Sequence, residues 1–548
     1  MFNRKLLVVG AIILVPVLLI VLRFGAGGWN SQSLTVSPQT TFIEGPLRPD
    51  GYPDYLGALN AELSEGVTPE NNAAVLILRA TGPKEIPQEL RGEFFSQLRM
   101  SPISESGDYF VPWSDYFRTI PKAEWPQPPA NSDLDAESFL LELYEPAMTR
   151  PWSREEFPLV GKWVDANQGP LEVVVAASKL PRYYAPRVAS GQPPMLVNGL
   201  LPLVDGMRGT AHGLAARAML RLNEKDYPGV WNDLTALRRL GRIMGNEATL
   251  VEILVGYAVE GLGVAGQIEF LAVAELTPEQ WAVLQNEIDA LPPRSRVSKT
   301  LDRGERLMVL DAILGVAEGG AEALPMSGLA NDSANSTLMN LALRGVDWNV
   351  PLAIANEWMD RLVAAGEIED PKQRAVETAR VEADMHAMVA GTNEPWSLVG
   401  AIASRRRASE KIGDIFVALM MPAISAMFQA EARTETNDDL LVIGLALARY
   451  KAEQGAYPEK LEQLAPDMIQ VVPTDAFAGA PFVYKKRGEG YLLYSLGANQ
   501  TDDGGKGADQ EGDDLVIEIP RPTKMQQAEK EALIDLDDAD APPASDEP

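Results

Sequence analysis

The sequence lacks cysteine and contains little histidine. None of its 548 residues is cysteine, which excludes disulfides, thiol nucleophiles, cysteine-bound zinc and a lipid-modified cysteine anchor. The two histidines, His212 and His386, are too few for a multi-histidine metal site and make histidine-based catalysis unexpected.

Positive charge is also scarce. The chain has 48 Lys and Arg against 77 Asp and Glu, a formal net charge of −29. Because nucleic-acid binding needs clustered basic residues to neutralise phosphates, we predict no nucleic-acid partner. The sequence contains no Walker loop, dinucleotide fingerprint, Gly-x-Ser-x-Gly elbow or His-Glu-x-x-His motif, so it predicts a protein that is not an enzyme.

An apolar run from Leu6 to Leu22 follows Arg4 and Lys5. The positive-inside rule then places the amino end in the cytoplasm and the body outside it. We predict an uncleaved anchor over 1–24, giving a single-pass protein of the inner (cytoplasmic) membrane with its body in the periplasm or another extracytoplasmic space. A cleaved signal peptide is the alternative, with Gly25-Ala26-Gly27 as a weak cleavage site.

The composition beyond the anchor changes several times along the chain. Helical signals are clearest in the middle, where Thr277-Pro278-Glu279-Gln280 has the form of a capping box and Asn223 to Pro228 breaks two apolar segments. The predicted fold class is mainly α: an irregular helical array followed by a small α+β domain with a long helix and a three-stranded antiparallel sheet. The predicted divisions are a linker over 25–66, a mixed region rich in proline and aromatics over 67–190, the array over 191–430, the α+β domain over 431–522 and an acidic disordered tail over 523–548.

Aromatic side chains are frequent in segment 102–187, including Trp113, Trp125 and Trp152. A cleft lined by these rings with carboxylates at its base would suit an extracytoplasmic enzyme or a glycan- or peptide-binding protein. Aromatics spaced among prolines more often anchor irregular loops onto a core. The sequence alone leaves both interpretations open. The neighbouring run from Leu171 to Ala177 fits a helix or a strand equally well.

Two sets of charged residues are candidates for acid–base chemistry. Glu252 and Glu260 lie eight residues apart on one apolar helix, and we predict that Arg238, Arg239 or Arg242 on the preceding helix neutralises them. The second set, Glu382, Asp384 and His386, occupies alternate positions of one probable helix. Alternate positions do not share a helical face, so no site is predicted there.

The last quarter of the chain has the clearest local signals. Thr436 is a plausible N-cap, and apolar residues recur at helical spacing from Leu440 to Tyr450 before Gly455 and Pro458 end the helix. Three strands are predicted after it, at Phe482 to Tyr484, Tyr491 to Tyr494 and Val516 to Ile519, with Lys485 to Gly490 as a hairpin connection.

An acidic loop separates the last two of these strands. Its oxygen donors alternate with glycines that permit tight turns around a cation. A loop of this kind binds calcium or is simply a solvated acidic turn. The candidate side-chain ligands are Asn499, Asp502, Asp503, Asp509, Asp513 and Asp514.

Two motifs frame this segment: Gly455-Ala-Tyr457-Pro458 after the long helix and Tyr494-Ser-Leu-Gly497 before the acidic loop. Their order resembles the globular part of the major pseudopilin of type II secretion, pseudopilin G, over roughly residues 419–520. The resemblance implies one calcium ion (Ca²⁺) in the loop, with the backbone carbonyl of Leu496 completing the shell.

The chain as a whole resembles large membrane-anchored bacterial proteins of uncharacterised function that carry such a domain. These resemblances imply a structural or protein-interaction role linked to a type II secretion or pilus-like system. The partners would then be other proteins of the cell envelope, such as secretion or pilus-like components. The anchor would hold this chain at the membrane.

Overall fold

The computed structural model is mainly helical, with a small three-stranded antiparallel sheet near the carboxyl end, which confirms the predicted fold class at this level. The predicted anchor (1–24), the acidic tail (523–548) and Asp509 lie outside the described residues. The structure describes residues 34–128, 134–191, 194–199, 201, 203–245, 249–319, 343, 346–392, 405–507 and 512–521.

Short helices build the first part of the body. Tyr55–Leu63 is a helix in the segment for which the sequence predicts a linker, and its Leu59 is fully buried. The ambiguous run after Leu171 is helical, because it belongs to Gln168–Ala177. The helices are α1 (Tyr55–Leu63), α2 (Ala73–Thr81), α3 (Arg91–Gln97), α4 (Trp113–Arg118), α5 (Ala136–Glu142), α6 (Glu145–Thr149), α7 (Pro158–Ala166) and α8 (Gln168–Ala177).

Longer helices follow, as the sequence predicts. The capping box at Thr277 is present, with its hydroxyl accepting from the backbone N–H of Gln280. A second capping box, between Thr249 and Glu252, begins the next apolar helix upstream. The helices are α9 (Val204–Asn223), α10 (Tyr227–Met244), α11 (Leu250–Val273), α12 (Pro278–Asp289), α13 (Val297–Thr300), α14 (Arg306–Gly319), α15 (Asn349–Gly366), α16 (Pro371–Thr392) and α17 (Arg405–Gln454).

Helices α10 and α11 approach each other closely through glycines. A Cβ at Gly241 would lie 2.4 Å from the carbonyl oxygen of Gly256, and a Cβ at Gly263 would lie 2.8 Å from the carbonyl oxygen of Leu234. Only glycine permits backbones at this separation. Within the described residues, α11 alone is long and apolar enough to cross a membrane. Of an apolar 18-residue stretch of this helix, 67% is buried inside the protein.

Helix α17 is 50 residues long and joins the helical array to the sheet. It packs on α11, α12, α15 and α16, and its carboxyl-terminal half packs on two strands of the sheet. The predicted N-cap, Thr436, is therefore wrong: it is an interior residue of α17, and the predicted domain boundary at 430/431 also falls inside this helix. The helix ends as predicted before Gly455, whose φ of +80° favours glycine.

The sheet has the order β3-β4-β5, with strands β3 (Val483–Arg487), β4 (Gly490–Ser495) and β5 (Leu515–Ile519) all antiparallel. The hairpin connection is tighter than predicted, because the β3–β4 ladder continues to the pair Arg487 and Gly490. A two-stranded ribbon, β1 (Thr474–Asp475) and β2 (Ala480–Pro481), precedes it. The acidic loop leaves β4 and returns to β5, so both of its ends are held by neighbouring strands.

Candidate functional site

The acidic loop begins with a tight turn that brings its two ends together. Gly497 has a φ of +63°, and a Cβ there would lie 2.1 Å from the carbonyl oxygen of Asp513. Glycine is therefore required at this position, because a side chain would clash with the returning segment. The backbone N–H of Leu496 donates to Oδ2 of Asp475, at 3.1 Å, which fixes the start of the loop to the β1–β2 ribbon.

Three of the predicted ligands lie together across the base of the loop. Oδ2 of Asp513 accepts from the backbone N–H of Asn499 at 2.9 Å, and Oδ2 of Asp503 accepts from the backbone N–H of Asp513 at the same distance. The Asn499 side chain donates to Oδ2 of Asp503 at 3.2 Å. Arg433 of α17 reaches the other oxygen of Asp513 at 3.2 Å. The loop thus places the carboxylates of Asp503 and Asp513 and the side-chain amide of Asn499 near one another, with the amide oxygen accepting from the backbone N–H of Thr501 at 2.7 Å.

Asp502 faces away from this group. Its Oδ1 accepts from the Tyr494 hydroxyl at 2.8 Å and from the backbone N–H of Gly504 at 2.9 Å, and these hydrogen bonds hold the pKa of Asp502 below its usual value. Lys485 donates to the same hydroxyl at 2.9 Å. Asp502 therefore ties the loop to the sheet.

Asp514 is the most buried of the predicted ligands that the structure describes, with 2% of its surface exposed. Its Oδ2 accepts from the backbone N–H of Gly505 at 2.7 Å, whereas its Oδ1 is enclosed and has no hydrogen-bond partner. Burial raises the pKa of Asp514. A buried carboxylate oxygen without a partner is costly, and a cation would satisfy it.

The described part of the loop does not assemble a complete metal site. Among the described residues, no group of three or more His, Cys, Asp or Glu side chains is arranged to hold a metal ion. Asp503, Asp513 and the amide of Asn499 supply oxygen donors of the type that calcium prefers, and Asp514 supplies an unsatisfied one. The donor chemistry fits calcium, while the ligand count within the described residues falls short of the six to eight oxygens that calcium takes.

A second concentration of charge lies between the helical array and α17. Arg242 and Arg294 both contact Glu260, with Nε of Arg242 at 2.8 Å and Nε of Arg294 at 3.0 Å. The same two guanidinium groups reach Oδ2 of Asp438 on α17, at 2.7 and 3.0 Å, and Arg238 also pairs with Asp438. Neutralisation of Glu260 by arginines of α10, predicted from the sequence, is confirmed. We call these five residues the arginine cluster.

The arginines shift the pKa values of both acids. Burial opposes ionisation of Glu260, yet Arg294 and Arg242 hold its pKa below the usual value. Burial likewise opposes ionisation of Asp438, and Arg238, Arg294 and Arg242 together hold its pKa low. The cluster is therefore charged at neutral pH and acts as an ionic connection between the array and the carboxyl-terminal part.

Glu252 has a different partner from the one predicted. It pairs with Arg187, from the segment after α8, and both side chains are 1% exposed. Its Oε2 also accepts from the hydroxyl of Thr249 at 2.7 Å. The prediction that an arginine of α10 neutralises it was wrong, because Glu252 lies in the first turn of α11, two turns from Glu260, and faces an earlier part of the chain.

The aromatic residues singled out from the sequence are buried. Trp113 is 4% exposed, Trp125 8% and Trp152 1%. Their indole N–H groups donate to backbone carbonyls at 2.7, 3.0 and 3.0 Å, respectively. These rings thus anchor irregular segments onto the core and do not line an open cleft.

The structure does not bring Glu382, Asp384 and His386 together. His386 is exposed, and Asp384 pairs with Arg361 of the neighbouring helix α15. Glu382 faces a cavity between α16 and α17 and is separate from the other two. No functional site was predicted among the acids of α17, although Glu431, Glu435 and Asp438 recur at helical spacing, which was the available signal.

Comparison with known proteins does not extend these observations. No protein-family model matches the chain, and no curated protein and no solved structure matches it.

Proposed function

We propose that this chain is a membrane-anchored protein of the cell envelope that acts by binding other proteins, with no catalytic activity of its own, and that its acidic loop binds one calcium ion. The proposal includes a link to a type II secretion or pilus-like system. The observation that carries the calcium part is the enclosed, unpartnered Oδ1 of Asp514 beside the group formed by Asn499, Asp503 and Asp513.

The arrangement around the loop supports this proposal. A long helix packs on a three-stranded antiparallel sheet, and the acidic loop connects two of the strands, in the order that pseudopilin G would give. Carboxylates confined in this way repel one another unless a cation intervenes. Asp503, Asp513, Asp514 and Asn499 would hold the ion, and its role there would be to stabilise the loop.

Thermal unfolding of the full chain tests the calcium proposal. Millimolar calcium should raise the melting temperature relative to chelator, and more than equal magnesium does, because magnesium gives up its waters reluctantly. The double variant Asp503→Asn/Asp513→Asn should abolish the shift while its amide oxygens still accept the backbone hydrogen bonds. Asp467→Asn, in a separate exposed turn, is the matched control. Identical melting curves in calcium and chelator for the unmodified chain would contradict the proposal.

The envelope part of the proposal has a separate test. Protease added to spheroplasts should degrade the body while a tag on the cytoplasmic side survives, because Arg4 and Lys5 precede the apolar run. Crosslinking and pull-down from native membranes should then recover envelope proteins. Protection of the body together with loss of the tag would reverse the proposed topology.

The enzyme or glycan-binding alternative depended on an open aromatic cleft. The buried tryptophans remove that observation, and no other feature of segment 102–187 favours it among the described residues. We therefore retain a single proposed function.

A further inference from the structure

A cavity of about 220 Å³ opens between α16, α17 and two loops of the carboxyl-terminal part. One loop follows β1, and the other is the start of the acidic loop. Alanine and phenylalanine side chains form about half of its walls. They include Ala375, Ala379, Phe428, Ala432, Phe477 and Ala498. Such walls suit an alkyl chain, because they offer apolar surface without bulky side chains that would fill the space.

A buried carboxyl group lines this cavity. Glu431 is 2% exposed, and its Oε1 accepts from the backbone N–H of Val297, the first residue of α13, at 2.8 Å. Its other oxygen accepts no hydrogen bond from the residues that the structure describes, and Arg374 and Arg296 act on Glu431 only as nearby charges. A ligand in the cavity could supply both the missing donor and the missing charge.

Among the described residues that line the cavity, Arg374 is the only arginine, and it already has partners outside the cavity. Nη2 of Arg374 pairs with Glu435, at 2.5 Å, and Nη1 donates to the carbonyl of Ile368 at 3.3 Å. Glu382 also lines the cavity and has no ion-pair partner among the described residues. Two carboxyl groups therefore face the cavity against one arginine that another glutamate neutralises. This balance favours a cation over an anion.

We propose that the cavity binds a primary alkylammonium group, as found on a lysine side chain of a partner protein or on a free alkylamine. Glu431 is the main counter-ion, Glu382 is a second one, and the alanine and phenylalanine walls contact the alkyl chain. The proposal does not depend on calcium binding by the acidic loop. Guanidinium fits less well, because its planar fork is best matched by a bidentate carboxylate, and Oε1 of Glu431 is already used.

Proton linkage gives the proposal a distinctive signature. Burial, with the nearby charge of Glu435, raises the pKa of Glu431 to about 7, while Arg374 and Arg296 oppose this shift. An alkylammonium group stays charged up to about pH 10. Binding should therefore be about tenfold tighter at pH 8 than at pH 6, because roughly a tenth of a group with this pKa is ionised at pH 6 and nine tenths at pH 8.

Titration calorimetry on the full chain tests the proposal with defined probes. n-Butylammonium and a doubly capped lysine should bind, whereas n-butanol and doubly capped norleucine, which lack the charge, should bind at least tenfold more weakly. Binding of capped lysine at least as tight as that of n-butylammonium assigns the site to a protein side chain. Binding of n-butylammonium with exclusion of capped lysine assigns it to a free amine.

Variants then assign the role of each group. Glu431→Gln keeps an acceptor for Val297 and should weaken n-butylammonium binding at least tenfold at pH 8 and remove its pH dependence. Glu382→Gln should weaken binding severalfold. Ala379→Leu should fill the cavity and block both probes, which keeps the proposal testable if Glu431→Gln does not fold.

Glu377→Gln is the matched control, because Glu377 lies on α16, pairs with Arg380 and is not among the cavity-lining residues. It should leave binding unchanged. Equal binding of n-butanol and n-butylammonium, or equal losses for Glu431→Gln and Glu377→Gln, would overturn the proposal. Binding of butylguanidinium at least as tight as that of n-butylammonium would also overturn it.

Discussion

The aromatic core of the first helices and the arginine cluster under α17 bury polar groups in opposite ways. In the first, the indoles of Trp113 and Trp163 lie 5.7 Å apart edge to face, and each donates to a backbone carbonyl. In the second, three arginines surround Glu260 and Asp438. Neutral hydrogen bonds satisfy the aromatic core at any ordinary pH, whereas the arginine cluster depends on every member keeping its charge.

The two regions should therefore differ in their sensitivity to pH and to charge substitution. A neutral donor and acceptor lose only a modest net free energy when separated, but an unpaired buried charge keeps its full desolvation cost. Helix α17 carries part of this risk, because Glu431, Asp438 and Asp439 all lie on it. Burial and the charge of Asp438 raise the pKa of Asp439 to about 7. Stability should therefore respond to pH and charge substitution at α17 more than in the aromatic core.

The largest effect is expected for Asp438→Asn. The change keeps the side-chain volume but leaves Arg238, which is fully buried, with Arg242 and Arg294 around a single acid. Breaking a buried ionic group costs about 3–5 kcal/mol. Urea unfolding of the full chain measures this loss, with Asp205→Asn as the exposed control, since its side chain is 81% exposed. A loss below about 1 kcal/mol would mean that the cluster is hydrated in solution.

The next effect is a change in pH dependence for Glu305→Gln. Burial raises the pKa of Glu305 from its ordinary value of 4.5 to about 7, so the folded chain binds this proton more tightly than the unfolded chain. Its stabilising contribution is present below about pH 4.5 and is lost as pH rises to about 7. The loss is on the order of 3 kcal/mol, and Gln should remove it.

Denaturant midpoints collected between pH 5 and pH 8 check this prediction. The unmodified chain should lose stability across that range, and Glu305→Gln should lose less. Gln keeps the acceptor for the backbone N–H of Leu250, so the amino end of α11 remains capped. Glu105→Gln, whose side chain is 72% exposed, should not change the slope. Parallel pH profiles for all three proteins would show that Glu305 ionises normally.

Trp163→Phe should have a smaller effect that does not vary with pH. The indole N–H of Trp163 donates to the carbonyl of Val111 at 2.8 Å, and the side chain is 1% exposed. Phe removes this donor and part of the buried ring, although Asn167 still donates to the same carbonyl. We expect a loss of about 1–3 kcal/mol. A loss that changes between pH 5 and pH 8 would contradict the pH-independent stability expected of the aromatic core.

Local signals in the sequence predicted much of the secondary structure. The capping box at Thr277, the break before Pro228 and the stop at Gly455 each depend on a few adjacent residues, and the structure confirms all three. The predicted start of α17 at Thr436 was wrong because it, too, rested on a few adjacent residues. Thr436 has the chemistry of an N-cap, but packing on α15 and α16 continues the helix through it to Arg405. Local sequence cannot show a tertiary contact that overrides a cap.

The acidic loop and the arginine cluster also differ in how far apart their residues lie in the sequence. The acidic loop is contiguous, so its donors could be named from the sequence, although the separate engagement of Asp502 with Tyr494 could not. The arginine cluster joins positions about 200 residues apart, such as Arg238 and Asp438, and only the fold brings them together. The same is true of Glu382 and Glu431, which line one cavity from two helices. Spacing along one helix indicates a shared face, not its partner.

The smallest effect should come from the exposed ion pair of Arg406 and Glu410 on α17. The two groups lie 2.9 Å apart at i,i+4 spacing, but their side chains are 84% and 42% exposed. Water and salt screen such a pair, and the order Arg before Glu is the weaker one on a helix. Glu410→Gln should therefore change the free energy of unfolding by less than about 0.5 kcal/mol, and the change should vanish in 1 M salt. A loss comparable to that of Asp438→Asn would show that charge alone, without burial, determines the sensitivity of α17.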